Sequence, residues 1–248
     1  MNSFLKDPYD NLIHYRYIPR GNINIVFFPG FMSSMNTLRS QHIETFCVNN
    51  SYSFLTLDYY GHGISAGSST DVTISMCKGS AITVLNLLPK DALLLFVGSS
   101  MGSWIMHLIS SLYANRIIGM VGFANAPDFT KYLMWDCFSL EIKNQILSTG
   151  LWLSPYYPIT LKLIKDGFMN LILNKRFTFK FPTILLHGLE DNMVPFEYTN
   201  LLAKCHKNQN LVTSNFIEST NHSFNSESEL KAVSDSIQKI IINYKALG

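Results

Sequence analysis

The chain reads as an α/β protein: a mostly parallel central sheet, helices on both of its faces, and a helical cap inserted late in the sequence. Three observations point there. Short, almost purely apolar runs alternate with segments of helical periodicity, as parallel strands and their crossover helices do. Of the 248 residues, 47% are hydrophobic and only 15% are Asp, Glu, Lys or Arg, enough to bury a large core. One aromatic-rich stretch, 129–181, interrupts the alternation. The expected organisation is a single domain over 1–248, with 129–181 as its cap or lid.

The elements follow in order. "LIHYRYI" (12–18) alternates apolar and polar residues, as an antiparallel edge strand would. "NINIVFFPG" (22–30) is a strand closed by Pro-Gly, and "NTLRSQHIETFCV" (36–48) has helical spacing. "YSFLTLDYYG" (52–61) is a second buried strand, and "TISMCKGSAITVLNLL" (73–88) a helix weakened by Gly79. "ALLLFVG" (92–98), the helix "SWIMHLISSLYANR" (103–116) and "IIGMVGFANA" (117–126) continue the rhythm. The cap shows helical patterns at 139–148 and 160–174. "PTILLHG" (182–188) and "LVTSNFIEST" (211–220) are the last strands. An amphipathic helix over 226–246 closes the chain, with Ser226 as N-cap and Glu229 at capping-box spacing.

Several function classes are excluded by composition. The net charge is +2 and Lys and Arg do not cluster, so nucleic acid is not an expected partner. Residues 92–115 carry no charge, but Gly-Ser-Ser-Met-Gly-Ser at their centre makes them strand, turn and helix, not a membrane span. Cys47, Cys77, Cys137 and Cys205 are widely spaced, with no zinc-site pattern, and read as reduced, mostly buried thiols. No cofactor or metal is implied. The first residues lack the apolar core of a signal peptide and the Arg-rich look of a transit peptide, so a cytoplasmic address is expected. The abundance of Asn, Ile and Lys suits an AT-rich, bacterial genome. Nothing in the sequence sets an oligomeric state.

The chemistry concentrates at Gly98-Ser99-Ser100-Met101-Gly102, a G-x-S-x-G pattern between a predicted strand and a predicted helix. A sharp strand-to-helix turn there projects the central hydroxyl above the sheet, and small residues at 98 and 102 let strand and helix approach. Ser100 is therefore the candidate nucleophile. A serine hydroxyl needs a positioned base. His222, in "ESTNHSF" after the last strand, is the favoured one. His187 ends a strand and would cap its turn, His107 would pack, and His62 would border the pocket. His14, His42 and His206 lie far from the site in chain order. The base needs an acid to orient it. Asp191 in "HGLEDNMVP" gives the order Ser, Asp, His that accompanies this turn. Glu190 is its rival, and Asp58 would tie down its own turn. An oxyanion would be met by the backbone N–H groups of Met101 and of Phe31 in "FFPGFMSS".

Taken together, "FFPGF", "LDYYGHGIS", "VGSSMGSW", "HGLEDNMVP" and "NHSF" resemble the α/β-hydrolase-fold serine hydrolases over roughly 22–245. More narrowly, "FFPGFMSSMNT", "VGSSMGSWIM" and "LLHGLEDNMVP" resemble the palmitoyl-protein thioesterase and acyl-glucuronide esterase branch. The resemblance implies nucleophile Ser100, acid Asp191 and base His222, oxyanion donors Phe31 and Met101, and metal-free hydrolysis of small-molecule or acylated-protein thioesters or esters. The 129–181 segment matches that branch poorly. Its Trp135, Trp152, Tyr156, Tyr157 and Phe168 are candidates for an acyl pocket. Carboxylesterase and peptidase activities of the same fold, and a noncatalytic binding module, stand as alternatives.

Overall fold

Six segments without a single Asp, Glu, Lys or Arg build the parallel part of the sheet: β3 (Ile23–Phe28), β4 (Ser53–Leu57), β5 (Leu93–Ser99), β6 (Ile117–Phe123), β9 (Thr183–Gly188) and β10 (Val212–Ile217). The computed structural model describes residues 3–247 and arranges eight strands as β1-β2-β4-β3-β5-β6-β9-β10. β1 (Ser3–Lys6) and β2 (Leu12–Ile18) are antiparallel to their neighbours, and the remaining pairings are parallel. β2 is thus antiparallel as expected, but it is not the edge. Ser3–Lys6 covers it, a four-residue strand ending in Lys, too short and polar to stand out in the sequence.

The two-residue period of each strand divides its side chains between two layers. Ile23, Ile25 and Phe27 face one way, where α1 (Leu38–Asn49) and α7 (Glu227–Leu247) pack with Ile43, Cys47, Val233, Ile237, Ile240 and Ile241. Val26 and Phe28 face the other way, toward α2 (Ile74–Leu85), α3 (Met101–Ile109) and α6 (Glu197–Lys204). Each large side chain so buried contributes about 1.5–3 kcal/mol, which fixes the register of the central strands. The helix α6 was not expected. Its eight residues are mostly polar and bury only Thr199 and Leu202. The expected helix over 103–116 starts earlier and is shorter: α3 ends at Ile109 and a tighter 3₁₀ turn follows at Ser110–Tyr113.

Residues 129–181 run from the end of β6 to the start of β9. They hold a π-helical turn (Thr130–Trp135), α4 (Leu140–Thr149), a small hairpin of β7 (Leu151–Leu153) and β8 (Pro158–Thr160), and α5 (Leu161–Met169). Both expected helices are present, the second ending earlier, at Met169. The segment is tied down at its seams. Asp128 accepts from the N–H groups of Ile172 and Leu173 at 2.8 and 2.9 Å, Asp166 accepts from Ser75 N–H at 2.7 Å, and the Trp104 indole donates to Asn170 O at 3.0 Å. All four cysteines are free thiols, and Cys137 is the exposed one.

Candidate active site

Five helices begin behind a Ser or Thr whose hydroxyl caps them; before α7 it is Ser226, which accepts from Glu229 N–H at 3.3 Å while Glu229 accepts from Ser226 N–H at 2.8 Å, the capping box expected there. The other four share one pattern. Thr37, Thr73, Ser139 and Thr160 accept from the backbone N–H three residues on, each satisfying a donor the helix would leave unpaired. Ser100 occupies the same position before α3 and makes no capping bond. Its backbone, at φ 54° and ψ −117°, turns the hydroxyl away from the helix. A left-handed conformation at a non-glycine residue costs on the order of 1–3 kcal/mol and persists only where the surroundings enforce it. Here they do. Ser100 N–H donates to Phe123 O at 3.0 Å, and Ser103 N–H donates to Ser100 O at 3.0 Å. Gly102 lies so close to the carbonyl of Phe28 that a β-carbon would overlap it.

The hydroxyl goes to His222. Ser100 Oγ is 3.0 Å from His222 Nε2, and His222 Nδ1 is 2.7 Å from Asp191 Oδ2. An ionised carboxylate only accepts, so Nδ1 carries the proton and Nε2 is left to accept from Ser100. His222 follows β10 on a loop held by the fully buried Phe224, which packs on Phe123, and by Arg39, which donates to Ser223 O at 2.9 Å. Asp191 follows β9. Its Oδ1 accepts from the N–H groups of Met193 and Val194 at 3.0 and 2.8 Å, and His187 Nε2 lies 3.2 Å from Oδ2. Burial pushes this carboxyl upward, but hydrogen bonds from His187 and His222, the His222 charge and the Val194 N–H outweigh it. Asp191 is held well below the usual carboxylate range. Glu190 is exposed, and its backbone N–H joins the two loops by donating to Thr220 O at 3.0 Å.

Gly30, the residue before Phe31, lies against Ser100: a β-carbon on it would be 3.4 Å from Ser100 Cβ. Among the described residues, neither Phe31 N–H nor Met101 N–H donates to a protein acceptor. The loop that carries Phe31 is braced from below: Asp58 accepts from Met35 N–H at 2.7 Å, from Ile64 N–H at 3.2 Å and bonds His14 Nδ1 at 2.8 Å. Asp58 therefore ties two loops together and not its own turn alone. His62 stands behind the Phe31 ring, 6.0 Å between centroids, and does not line the cleft. His107 packs as expected, but against His206, with their Nε2 atoms 3.2 Å apart; His206 is distant in sequence and close in space. His187 does secure its turn, through Val194 O at 2.9 Å, and also touches Asp191.

A cleft of about 190 Å³ opens above Ser100 and His222. Phe31, Phe129, Leu133, Met134 and Tyr157 form its apolar wall. Of the five aromatic residues expected to line an acyl pocket, only Tyr157 does. Trp135, Trp152 and Phe168 pack onto the core and Tyr156 is exposed to solvent. The arrangement offers a hydroxyl, a base with a free lone pair, an ionised acid and an apolar wall, the components of acyl transfer.

No family model matches the chain. Over 201 residues, 78% of this chain and 67% of the relative, it is 29% identical to the palmitoyl-protein thioesterase ABHD10, mitochondrial, of Rattus norvegicus. Mouse alpha/beta hydrolase domain-containing protein 10 superposes with a TM-score of 0.89 at 23% identity, covering 98% of this chain and 99% of that one. Est1E from Butyrivibrio proteoclasticus, solved with ferulic acid bound, superposes at 0.82 with 16% identity and covers 98% of this chain and 99% of its own. The chain has the α/β-hydrolase fold and resembles the palmitoyl-protein thioesterase branch.

Proposed function

We propose that the protein is a serine hydrolase that cleaves acyl thioesters or carboxylic esters through an acyl-enzyme on Ser100. The observation that carries this reading is the linear array Ser100 Oγ, His222 and Asp191, at 3.0 and 2.7 Å, with the serine hydroxyl withheld from its own helix. The relative named a palmitoyl-protein thioesterase supports esterase or thioesterase chemistry.

In the first step Ser100 Oγ bonds to the substrate carbonyl carbon and its proton passes to His222 Nε2. The carbonyl π electrons move to oxygen, and the oxyanion is received by the N–H groups of Phe31 and Met101. Such a donor is worth about 3–4 kcal/mol in the transition state. The intermediate collapses, the bond to sulfur or oxygen breaks, and the leaving group takes the proton from His222. Water then attacks the acyl-enzyme, giving its proton to His222, which returns it to Ser100 as the acid leaves. Asp191 holds the ring and balances the imidazolium throughout.

The 129–181 segment acts as a cap that supplies the acyl-facing wall through Phe129, Leu133, Met134 and Tyr157. Pockets that enclose whole drug-sized ligands span about 300–1,000 Å³. A cleft of about 190 Å³ takes a short acyl group whole, and a palmitoyl-length chain would run out through its mouth or displace the cap. That size also favours the second reading, a carboxylesterase of small esters. The free thiols suit action in the reducing cytoplasm. No described helix is long and apolar enough to cross a membrane.

A fluorophosphonate probe tests the first reading. A single adduct mapped to Ser100, absent in Ser100→Ala, is the expected result; folded protein without an adduct overturns it. Matched thioester and oxyester series of rising acyl length then separate the two substrate readings.

A further inference from the structure

Polar contacts continue behind Asp191. His187, the next-to-last residue of β9, is fully buried. Its Nε2 lies 2.9 Å from Val194 O and 3.2 Å from Asp191 Oδ2, and its Nδ1 lies 2.6 Å from Thr199 Oγ1. A carbonyl oxygen can only accept, so Nε2 carries the proton, and in the neutral ring Nδ1 accepts from the Thr199 hydroxyl. Thr199 Oγ1 accepts in turn from Asn125 Nδ2 at 3.0 Å, and the same amide also donates to Leu186 O at 3.0 Å. Asn125 Oδ1 is then left to accept from Ser103 Oγ at 2.6 Å. Ser103 is one turn along α3 from Ser100, and its N–H donates to Ser100 O.

These hydrogen bonds, with the 3.2 Å contact between His187 Nε2 and Asp191 Oδ2, close a ring: Ser100 hydroxyl, His222, Asp191, His187, Thr199, Asn125, Ser103, and back to the Ser100 backbone. Each donor direction in the arc behind Asp191 is set by a neighbour that can only accept or only donate. Gly122 lies beneath, where a β-carbon would overlap Asn125 Oδ1 and come within 2.8 Å of Ser103 Oγ.

We infer that His187 is a positioning residue for Asp191: a neutral imidazole whose Nε2–H is the second imidazole donor to the acid, aimed through Thr199, Asn125 and Ser103 by the helix that carries Ser100. The inference rests on the reading of Ser100, His222 and Asp191 as a catalytic triad. The simpler alternative is that His187 only braces the 188–194 turn through Val194 O.

Two substitutions separate these roles. In His187→Gln the new side-chain amide nitrogen reaches the position of Nε2 and keeps a donor to Asp191. His187→Asn is shorter, keeps a partner for Thr199 and loses the donor to both Asp191 and Val194 O, so a brace alone shows as a fall in stability that kcat merely follows. Hydrolysis of p-nitrophenyl butyrate is measured against pH, beside urea unfolding of both variants. His187→Asn is expected to lose roughly ten- to a hundred-fold in kcat at little changed KM, as when a hydrogen bond to a buried charge is removed. Its acid limb moves to higher pH, because Asp191 with one donor fewer interacts more strongly with a protonated His222. The groups that face Asp191 are His222, His187 and the N–H groups of Met193 and Val194; Glu190 beside it is exposed. His187→Gln restores most of kcat and the wild-type limb.

The downfield proton resonance of His222 Nδ1–H, assigned by its loss in His222→Gln, gives a readout that needs no turnover. It shifts in His187→Asn and stays in place in His187→Gln. Losses that follow stability in each variant, with limb and resonance unmoved, overturn the inference. A wild-type protein that Ser100-directed probes do not label, yet whose His222 resonance responds as stated, overturns the hydrolase reading and leaves the positioning role standing.

Discussion

Gly102 sits with its α-carbon against the carbonyl oxygen of Phe28, closer than any side chain allows. This contact clamps the first turn of α3 onto the end of β3 and holds Ser100 above the sheet. An added methyl meets backbone atoms of Phe28 and Pro29, which cannot rotate away. Overpacking a core commonly costs about 1–3 kcal/mol, and here the upper end applies. Gly102→Ala is expected to lose about 3 kcal/mol in chemical denaturation together with fluorophosphonate labelling. A loss under about 1 kcal/mol would show that the clamp is slack.

On the proposed reading, Ser100 bears its strain so that its hydroxyl reaches His222. Glycine adopts the same backbone freely, so Ser100→Gly should be more stable than Ser100→Ala by about 1 kcal/mol, with neither labelled. Thermal unfolding of the two variants decides the matter; an alanine variant as stable as the glycine one would mean that the turn is relaxed.

Asp191 titrates lower in the folded chain than its ordinary value of 3.8. It therefore adds stability that is fully present above that value and is lost as pH falls toward its folded pKa. Asp191→Asn should flatten the acid end of the stability curve and cut turnover about ten-thousand-fold, the loss known for amidating the acid of such a triad. Glu190→Gln should do neither. Comparable losses in the two variants would shift the acid's role to Glu190.

His107 and His206 meet behind Phe177 and Phe179. Burial, and for His206 the neighbouring His107, holds both well below the ordinary imidazole value of 6.5. The unfolded chain takes up protons near that value that the folded chain refuses, so stability falls as the solution is acidified from about pH 6.5. The urea midpoint should be lower at pH 5 than at pH 7, and His206→Leu should reduce the difference. A midpoint unchanged between the two pH values would contradict the buried neutral pair.

Tyr157 packs edge-on against Phe31 at 5.0 Å and narrows the cleft. Tyr157→Ala should raise the ratio of octanoyl to acetyl ester hydrolysis several-fold, while Trp152→Ala, away from the cleft, should leave it unchanged. If the ratio moves only with Trp152, the acyl group follows another path.

The central strands were legible because burial on both faces removes every charge from them, and that absence survives in the sequence. Ser100, Asp191 and His222 were legible because a glycine-flanked serine must end a strand, and the loops after the last two parallel strands must lie at the same sheet edge. β1 was missed because four residues of half-buried edge carry almost no pattern. α6 was missed because its polar face dominates, although two adjacent parallel strands need a crossover between them. The acyl-pocket expectation picked the largest aromatic side chains. Around the π-helical turn, neighbours point in different directions: Leu133 and Met134 reach the cleft and Trp135 does not. The arc from His187 through Thr199 and Asn125 to Ser103 has no sequence period at all, since its members come from a strand, a helix, a loop and another helix.

Apart from Phe31, the named wall residues of the cleft and the groups at its floor come from different stretches of chain. Phe129, Leu133, Met134 and Tyr157 belong to 129–181, while Ser100, Asp191 and His222 hang from the ends of β5, β9 and β10. Drift in one stretch need not disturb the other. A lineage could exchange its selectivity as a unit and leave its reactivity untouched, provided the splice kept Asp128 for the return of the chain and a partner for the Trp104 indole and the Ser75 amide. What such an exchange would have to preserve is small: the bonds made by Asp128, by the Trp104 indole and by the Ser75 amide.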